Sequence, residues 1–313
     1  MPAGAWESAE RLGGSMLAAM SDGDAKVVIE APGLGEGFWA GGPSVVLDEH
    51  GYWLAYRLRR PVDQGRGYAN VVAFSPDGLQ FDTVAWLSSV SFAAASLERP
   101  ALVRLPDGSW RLYVSCSTPD SKHWWIEAVD AATPDRLASG RRRVVLAGSH
   151  RAAWKDPVVQ VNGSTWRMWV CRHPLDGGDD AADRMSSWYA VSGDGLEWAM
   201  HAEALAPTPG TWDARGARIA DVVRVGDRWL AVYDGRRSAE ENWRERTGIA
   251  LGPGPHVLTA IDGPVPDAAG QTVRYACAVP TEAGLRLYFE ASAADGSHDL
   301  RTVLVPDSEP IAR

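Results

Sequence analysis

Charged side chains recur in this chain in short groups about 57 residues apart: Glu98-Arg99, Lys155-Asp156, Arg215 with Arg218, and Arg274-Tyr275. Each group stands at the start of an apolar, strand-like run. A carboxylate beside a cation has a proton affinity that its neighbour can set, so Glu98 and Asp156 are candidates for proton transfer. Guanidinium forks match carboxylate and phosphate two bonds at a time. Arg99, Arg218 and Arg274, with Lys155, are therefore candidates for holding an anion. A second cluster comprises Arg57, Arg59, Arg60 and Arg66, then Arg172 and His173, then Asp234, Arg236, Arg237, Glu240, Glu241, Asn242 and Arg244. Within it Arg59, Arg66 and Asp234 are expected to bind substrate, and Glu241 is a third candidate acid or base. Tyr275 completes the polar set, and Trp39, Trp154 and Trp243 offer flat apolar faces that carry one N–H each.

These residues can meet only if the chain returns to one place five times, and the sequence repeats in a way that makes it do so. Five segments share an apolar strand, a turn containing Gly with Asn, Asp or Glu, and a strand carrying an aromatic. They start near Gly42, Arg99, Asp156, Gly216 and Arg274, at separations of 57, 57, 60 and 58 residues. The turns Glu49-His50-Gly51, Pro106-Asp107-Gly108, Val161-Asn162-Gly163, Val225-Gly226-Asp227 and Glu282-Ala283-Gly284 are of the kind that reverses antiparallel strands. The stretches Tyr68–Phe81 and Ser187–Trp198 share a second hairpin, Ser-x-Asp-Gly-Leu-x-aromatic. A four-stranded unit of this length is a propeller blade. The expectation is an all-β fold, a single five-bladed β-propeller over residues 1–313 with four antiparallel strands per blade. Residues 1–24 read as a weakly helical or loose extension. Ala25–Glu30 and Leu300–Val305 are the candidate strands that close the ring. In such a ring the N-terminal ends of the inner strands gather at one mouth of the channel, which is where the charged groups fall.

The composition narrows the partners. A net charge of −9 opposes non-specific binding to phosphate backbones, and no apolar run approaches the ~20 residues that span a bilayer. Nucleic acid and membrane are therefore not expected partners. The N-terminus shows no basic segment followed by an apolar core, so no signal peptide is read. Three scattered cysteines, Cys116, Cys171 and Cys277, fit reduced, buried thiols in the cytoplasm. Fifteen Trp against five Phe suit blade packing first and sugar stacking second. No HExxH or paired CxxC spacing occurs. The acidic stretch Gly178–Ser187, with carboxylates at 179, 180 and 183, lacks a complete calcium-loop pattern and reads as an exposed loop. No metal and no cofactor are expected.

The five-fold period, Glu98–Val103 (ERPALV), Lys155–Val159 (KDPVV) and Tyr233–Ala250 (YDGRRSAEENWRERTGIA) resemble the five-bladed propeller glycosidase superfamily. That superfamily includes arabinanases and xylosidases, invertases and levansucrases, and mannoside phosphorylases. The resemblance covers about Phe38 to Val305. It implies an Asp in blade one as base or nucleophile, a supporting Asp in blade two or three, and a Glu in a later blade as acid. The blade-one position falls on Gly42, Asp156 matches the supporting Asp, and the later position falls near Arg215-Gly216, where no carboxylate stands. Hydrolysis of a glycoside by protein carboxylates needs a pair roughly 5–10 Å apart. Glu98 with Asp156, or Asp156 with Glu241, would have to form it.

The resulting expectation is a glycoside hydrolase-like enzyme acting at the channel mouth on a sugar or glycoside-like small molecule that bears an anionic group. Two alternatives remain open. One is non-hydrolytic chemistry in the same pocket, by a phosphorylase or by a lyase, cyclase or isomerase of secondary metabolism. The other is an inactive propeller that binds a carbohydrate or metabolite.

Overall fold

The computed structural model describes residues 3–178, 181–265, 271–306 and 311–312. Asp179 and Asp180 of the acidic stretch lie outside the described residues. The chain opens with helix α1 (Ala3–Ser21) and strand β1 (Lys26–Ile29), and then runs through antiparallel units. Unit one holds β2 (Trp39–Asp48), β3 (Gly51–Arg59), β4 (Gly67–Ser75) and β5 (Asp82–Ser88). Unit two holds β6 (Ala101–Arg104), β7 (Trp110–Ser117), β8 (Trp124–Ala131) and β9 (Arg141–Leu146). Unit three holds β10 (Ala152–Asn162), β11 (Thr165–Pro174), β12 (Ser186–Ser192) and β13 (Ala199–Leu205). Unit four holds β14 (Gly216–Val225), β15 (Arg228–Arg236), β16 (Arg246–Gly254) and β17 (Val257–Asp262). Unit five holds β18 (Val273–Thr281), β19 (Gly284–Ser292) and β20 (His298–Val305). The short strand β21 (Ile311–Ala312) pairs with β14 at the inner edge of unit four.

Unit five is completed from the other end of the chain. Strand β1 pairs antiparallel with β20, Lys26 opposite Thr302, so the two segments singled out for closure meet each other. The architecture is all-β: units two and three are four-stranded antiparallel sheets, unit four is one with β21 added, and units one and five join where Trp39 of β2 pairs parallel with His298 of β20.

Residues that read as weakly helical or loose form a 19-residue helix. Its interior glycines, Gly13 and Gly14, lower its intrinsic helix propensity, and tertiary packing outweighs them. Ala9, Leu12, Met16, Leu17 and Met20 recur at helical spacing and are buried against Leu230, Ile249, Leu251 and Leu285 of units four and five. A Cβ at Gly13 would lie 2.9 Å from the Ile249 side chain, so the glycine lets the helix approach the sheet.

The twin hairpins have the same internal hydrogen bonds. The Ser75 hydroxyl donates to Asp77 (2.8 Å) and accepts from the Gly78 amide (2.9 Å), while Asp77 accepts from the Leu79 amide (2.9 Å). Ser192, Asp194, Gly195 and Leu196 repeat this at 3.0, 2.9 and 2.8 Å. Each hairpin is held by the neighbouring unit: the Tyr288 hydroxyl donates to the Gly78 carbonyl at 2.9 Å, and Tyr113 to Gly195 at 2.7 Å. Most tryptophans serve the same end, as when fully buried Trp169 donates to the Pro255 carbonyl of unit four at 2.6 Å.

Candidate active site

The inner strands share one irregularity. In units one, three and five the register slips after Gly41 (opposite Arg57), Lys155 (opposite Cys171) and Arg274 (opposite Glu290). In unit four the slip follows Ile219, one step beyond Arg218 opposite Asp234. Unit two has the equivalent in Glu98, whose amide donates to the Ser115 carbonyl at 3.0 Å. The bulge re-aims the side chains next to it and turns these positions into a ring. Three residues in the bulges have left-handed backbones: Gly42 (φ 63°), Asp156 (φ 55°) and Tyr275 (φ 55°). Glycine adopts this conformation freely. Asp and Tyr are strained in it, and such strain concentrates at functional positions.

Asp156 and Tyr275 meet: the Tyr275 hydroxyl donates to Asp156 Oδ2 at 3.3 Å. The Tyr275 ring lies under Arg218, 3.8 Å from guanidinium to centroid, with Arg57 at 5.1 Å. Burial raises its phenol above the usual range, so it stays protonated at neutral pH. Asp234 accepts from the Tyr275 amide at 3.0 Å, from Arg218 at 3.0 Å and from the Thr247 hydroxyl. It is fully buried, and burial raises its carboxyl against the pull of Arg218.

Above this floor opens a cavity of about 200 Å³. Its cationic walls are Arg59 and Arg66 of unit one, Lys155 of unit three, Arg218 and Arg236 of unit four and Arg274 of unit five. Lys122 adds a further, exposed ammonium. The carboxylates that reach it are Glu98, Asp183 and Glu245. Glu98 bonds Arg57 and lies 3.8 and 3.9 Å from Arg59 and Arg66. Glu245 bonds Arg274 at 2.6 Å and Arg236 at 2.9 Å, with Arg218 at 3.9 Å. Burial alone would raise both carboxyls; for Glu98 Arg57 and Arg59, and for Glu245 Arg218 and Arg274, outweigh it and hold them well below the ordinary range. Both are therefore ionised at neutral pH. Burial first, and the neighbouring guanidiniums second, bring Arg59 down to about 10, where it keeps its charge.

Behind the cavity, Glu290 binds Arg57 (2.7 Å), Arg274 (2.6 Å) and His298 Nδ1 (2.7 Å). A Cβ at Gly41 would fall inside its carboxylate. The missing side chain in unit one is thus the space into which a unit-five carboxylate reaches.

Of the residues singled out from the sequence, Glu98, Lys155, Arg59, Arg66, Arg218, Arg274 and Tyr275 line the cavity. Asp156 and Asp234 stand beneath it, holding Tyr275 and Arg218. Trp39 is buried behind it, stacked 4.6 Å from His298 and covered by Arg59 and Arg274. Arg99 points elsewhere: its Nε and Nη2 donate to the Pro43 carbonyl at 3.2 and 3.0 Å, bracing the Gly42 bulge. Trp154 packs edge-on against Trp188 at 6.1 Å, away from the cavity. Glu241 accepts from the Arg237 amide at 2.7 Å and faces an adjoining cavity of about 570 Å³ shared with Trp39, Trp243 and Arg244. The acidic stretch is more than an exposed loop, because Ala182, Asp183 and Met185 form one wall of the site. Glu245 and Glu290 were not singled out. Glu245 stands between Arg244 and Arg246 at the approach to β16, and Glu290 is a lone carboxylate in the otherwise apolar run 287–291, the signals that could have found them.

No protein-family model matches the chain, and no curated protein matches it in sequence. Solved structures do share its fold. A thermostable family-43 glycoside hydrolase superposes with a TM-score of 0.63 at 13% identity, over 89% of this chain and 91% of its own. A glycosyl hydrolase from Bacteroides ovatus gives 0.61 at 12% identity, over 91% and 89%. A structure from the GH130 family of mannoside phosphorylases, which contains glycoside hydrolases that target β-1,2 mannosidic linkages in Candida mannan, gives 0.59 at 13%, over 90% and 88%. The fold is the one glycoside hydrolases use. At these identities the likeness speaks for architecture, while activity has to be argued from the site.

Proposed function

We propose that the five units are the blades of one propeller domain over residues 1–313, and that its cavity is the site of a glycosidase-like enzyme. Its substrate is a sugar or glycoside-like small molecule bearing an anionic group. The observation that carries this reading is the excess of cationic over acidic side chains on the walls of a small, deep cavity. Arg59, Arg66, Lys155, Arg218 and Arg274 hold the anion, and Arg99 supports them from behind. Glu98 and Asp156 handle protons, the latter through Tyr275. Trp243, on the wall, offers the stacking face. Three buried cysteines, none of them in a disulfide among the described residues, support a reducing, cytoplasmic setting.

Phosphorolysis is the second reading, and the cationic wall of the cavity favours it. Two-carboxylate hydrolysis needs one of the pair to keep a proton for the leaving oxygen. In phosphorolysis a phosphate held in a cationic seat replaces the attacking water, so no carboxylate is needed to activate it, while one protein acid still protonates the leaving oxygen. Turnover of uronic-acid and phosphorylated disaccharides, with and without inorganic phosphate, separates the readings. Release of a sugar 1-phosphate only when phosphate is present selects phosphorolysis. Turnover lost in Glu98→Gln and Asp156→Asn with binding retained supports their roles, whereas full turnover in both removes them from the chemistry. Binding without turnover in the wild type assigns the site to a binding protein.

A further inference from the structure

His173, on β11, lies on the cavity wall yet takes part in none of the ion pairs. Its Nδ1 stands 2.6 Å from the Ala182 carbonyl. A carbonyl only accepts, so Nδ1 carries the proton and donates. Burial, with Lys155, Arg236 and Arg218 nearby, holds the ring neutral. Nε2 then presents a lone pair, and it has no hydrogen-bond partner among the described residues. A buried acceptor left without a donor is destabilising, and such an atom calls for an explanation. The neighbouring acceptors are already committed: Glu98 and Glu245 to arginines, and the Asn242 side-chain oxygen to Arg236 at 2.7 Å. Among the described residues, His173 Nε2 is an acceptor on this wall that no cation occupies.

We propose that His173 Nε2 accepts a hydrogen bond from a hydroxyl of the ligand, alongside the anionic group held by the arginines. The anionic sugar-like substrate proposed above then has a second point of recognition, a hydroxyl placed against His173, as in a sugar acid. The inference rests on the anion-binding reading of the cavity and adds a specificity residue to it. A bare anion satisfies the guanidiniums and leaves Nε2 unpaired, and a neutral sugar does the reverse.

The test compares D-glucuronate with cyclohexanecarboxylate, which keeps the six-membered ring and carboxylate but lacks every hydroxyl, by calorimetric titration. The wild type binds glucuronate at least about tenfold tighter. His173→Asn keeps an amide donor for the Ala182 carbonyl and loses the Nε2 acceptor, and it brings the two ligands to within about threefold while cyclohexanecarboxylate binds as before. His173→Gln, which places a carbonyl oxygen near Nε2, restores part of the preference. In the wild type, the ¹⁵N resonance of Nε2 moves upfield with glucuronate and not with cyclohexanecarboxylate, a readout independent of any variant's folding. An unchanged preference in folded His173→Asn, or a proton found on Nε2, overturns the inference and leaves anion binding standing. If the wild type binds neither acid nor inorganic phosphate, the anion-binding reading falls and this inference with it.

Discussion

The twin hairpins and the inner-strand ring are products of the same repeat, and the chain treats them in opposite ways. At Ser75–Phe81 and Ser192–Trp198 residue types and hydrogen bonds are copied almost atom for atom, and each is capped by a tyrosine from the neighbouring unit. At the ring, the equivalent residues are Gly41, Glu98, Lys155, Arg218 and Arg274, no two neighbours alike until the arginines. Hairpin positions face the same demand in both units, namely to reverse the chain and pack on the neighbour. Ring positions face one another, so each must complement the others in charge. Repetition there would place five like charges in one channel.

The comparison fails first, and by the most, if the ring is not an interdependent charge network. Glu290→Gln leaves Arg57 and Arg274 short of a buried counter-charge, and the expected loss is about 3–5 kcal/mol in urea unfolding. A loss under 1 kcal/mol would mean the ring positions act independently.

Acid should expose the same network. Glu98, Glu245 and Glu290 are held below their ordinary range by arginines, so their stabilisation is complete above the unfolded value near pH 4.3 and is lost as pH falls from there toward their folded values. Asp234 is shifted upward and works in the opposite direction. Net destabilisation on acidification is expected, with a shallower acid limb in Glu290→Gln, measured as unfolding free energy against pH.

Arg66, a third exposed and 3.9 Å from Glu98, can be removed with little structural cost. Arg66→Ala should weaken glucuronate or phosphate binding about three- to tenfold while shifting stability by less than about 0.5 kcal/mol. The smallest effects belong to the hairpins. Tyr113→Phe and Tyr288→Phe each remove one hydroxyl donor from a hairpin carbonyl, for about 1 kcal/mol apiece, with ligand affinity untouched. Unequal losses, or a change in binding, would break the contrast between copied and specialised positions.

Much of the architecture was legible because it rests on local, periodic signals. Gly-bearing turns and alternating strands mark the units, and two strand-like segments mark the closure that β1 and β20 make. Helix α1 was obscured by Gly13 and Gly14, whose low propensity is overcome only by the core it packs against. The site was half legible. Glu98, Lys155, Arg218 and Arg274 could be found by aligning strand starts. Arg99 could not be told from them, though its guanidinium turns back to Pro43. Glu245 sits in the irregular connection before β16, where no period reports orientation, and Glu290 lies in a strand that otherwise reads as core.

The sequence by itself determined the repeat, the turns and which residue types each unit brings to its inner strand, because these depend on neighbours within a few positions. The tertiary structure alone decided which of those charges are spent on one another and which face the cavity. It set Glu290 into the space left by Gly41, paired Tyr275 with Asp156 across 119 positions of chain, and left His173 Nε2 without a partner among the described residues. These outcomes depend on which side chains the ring brings within about 3 Å, and hydrogen bonds and desolvation act only at that range.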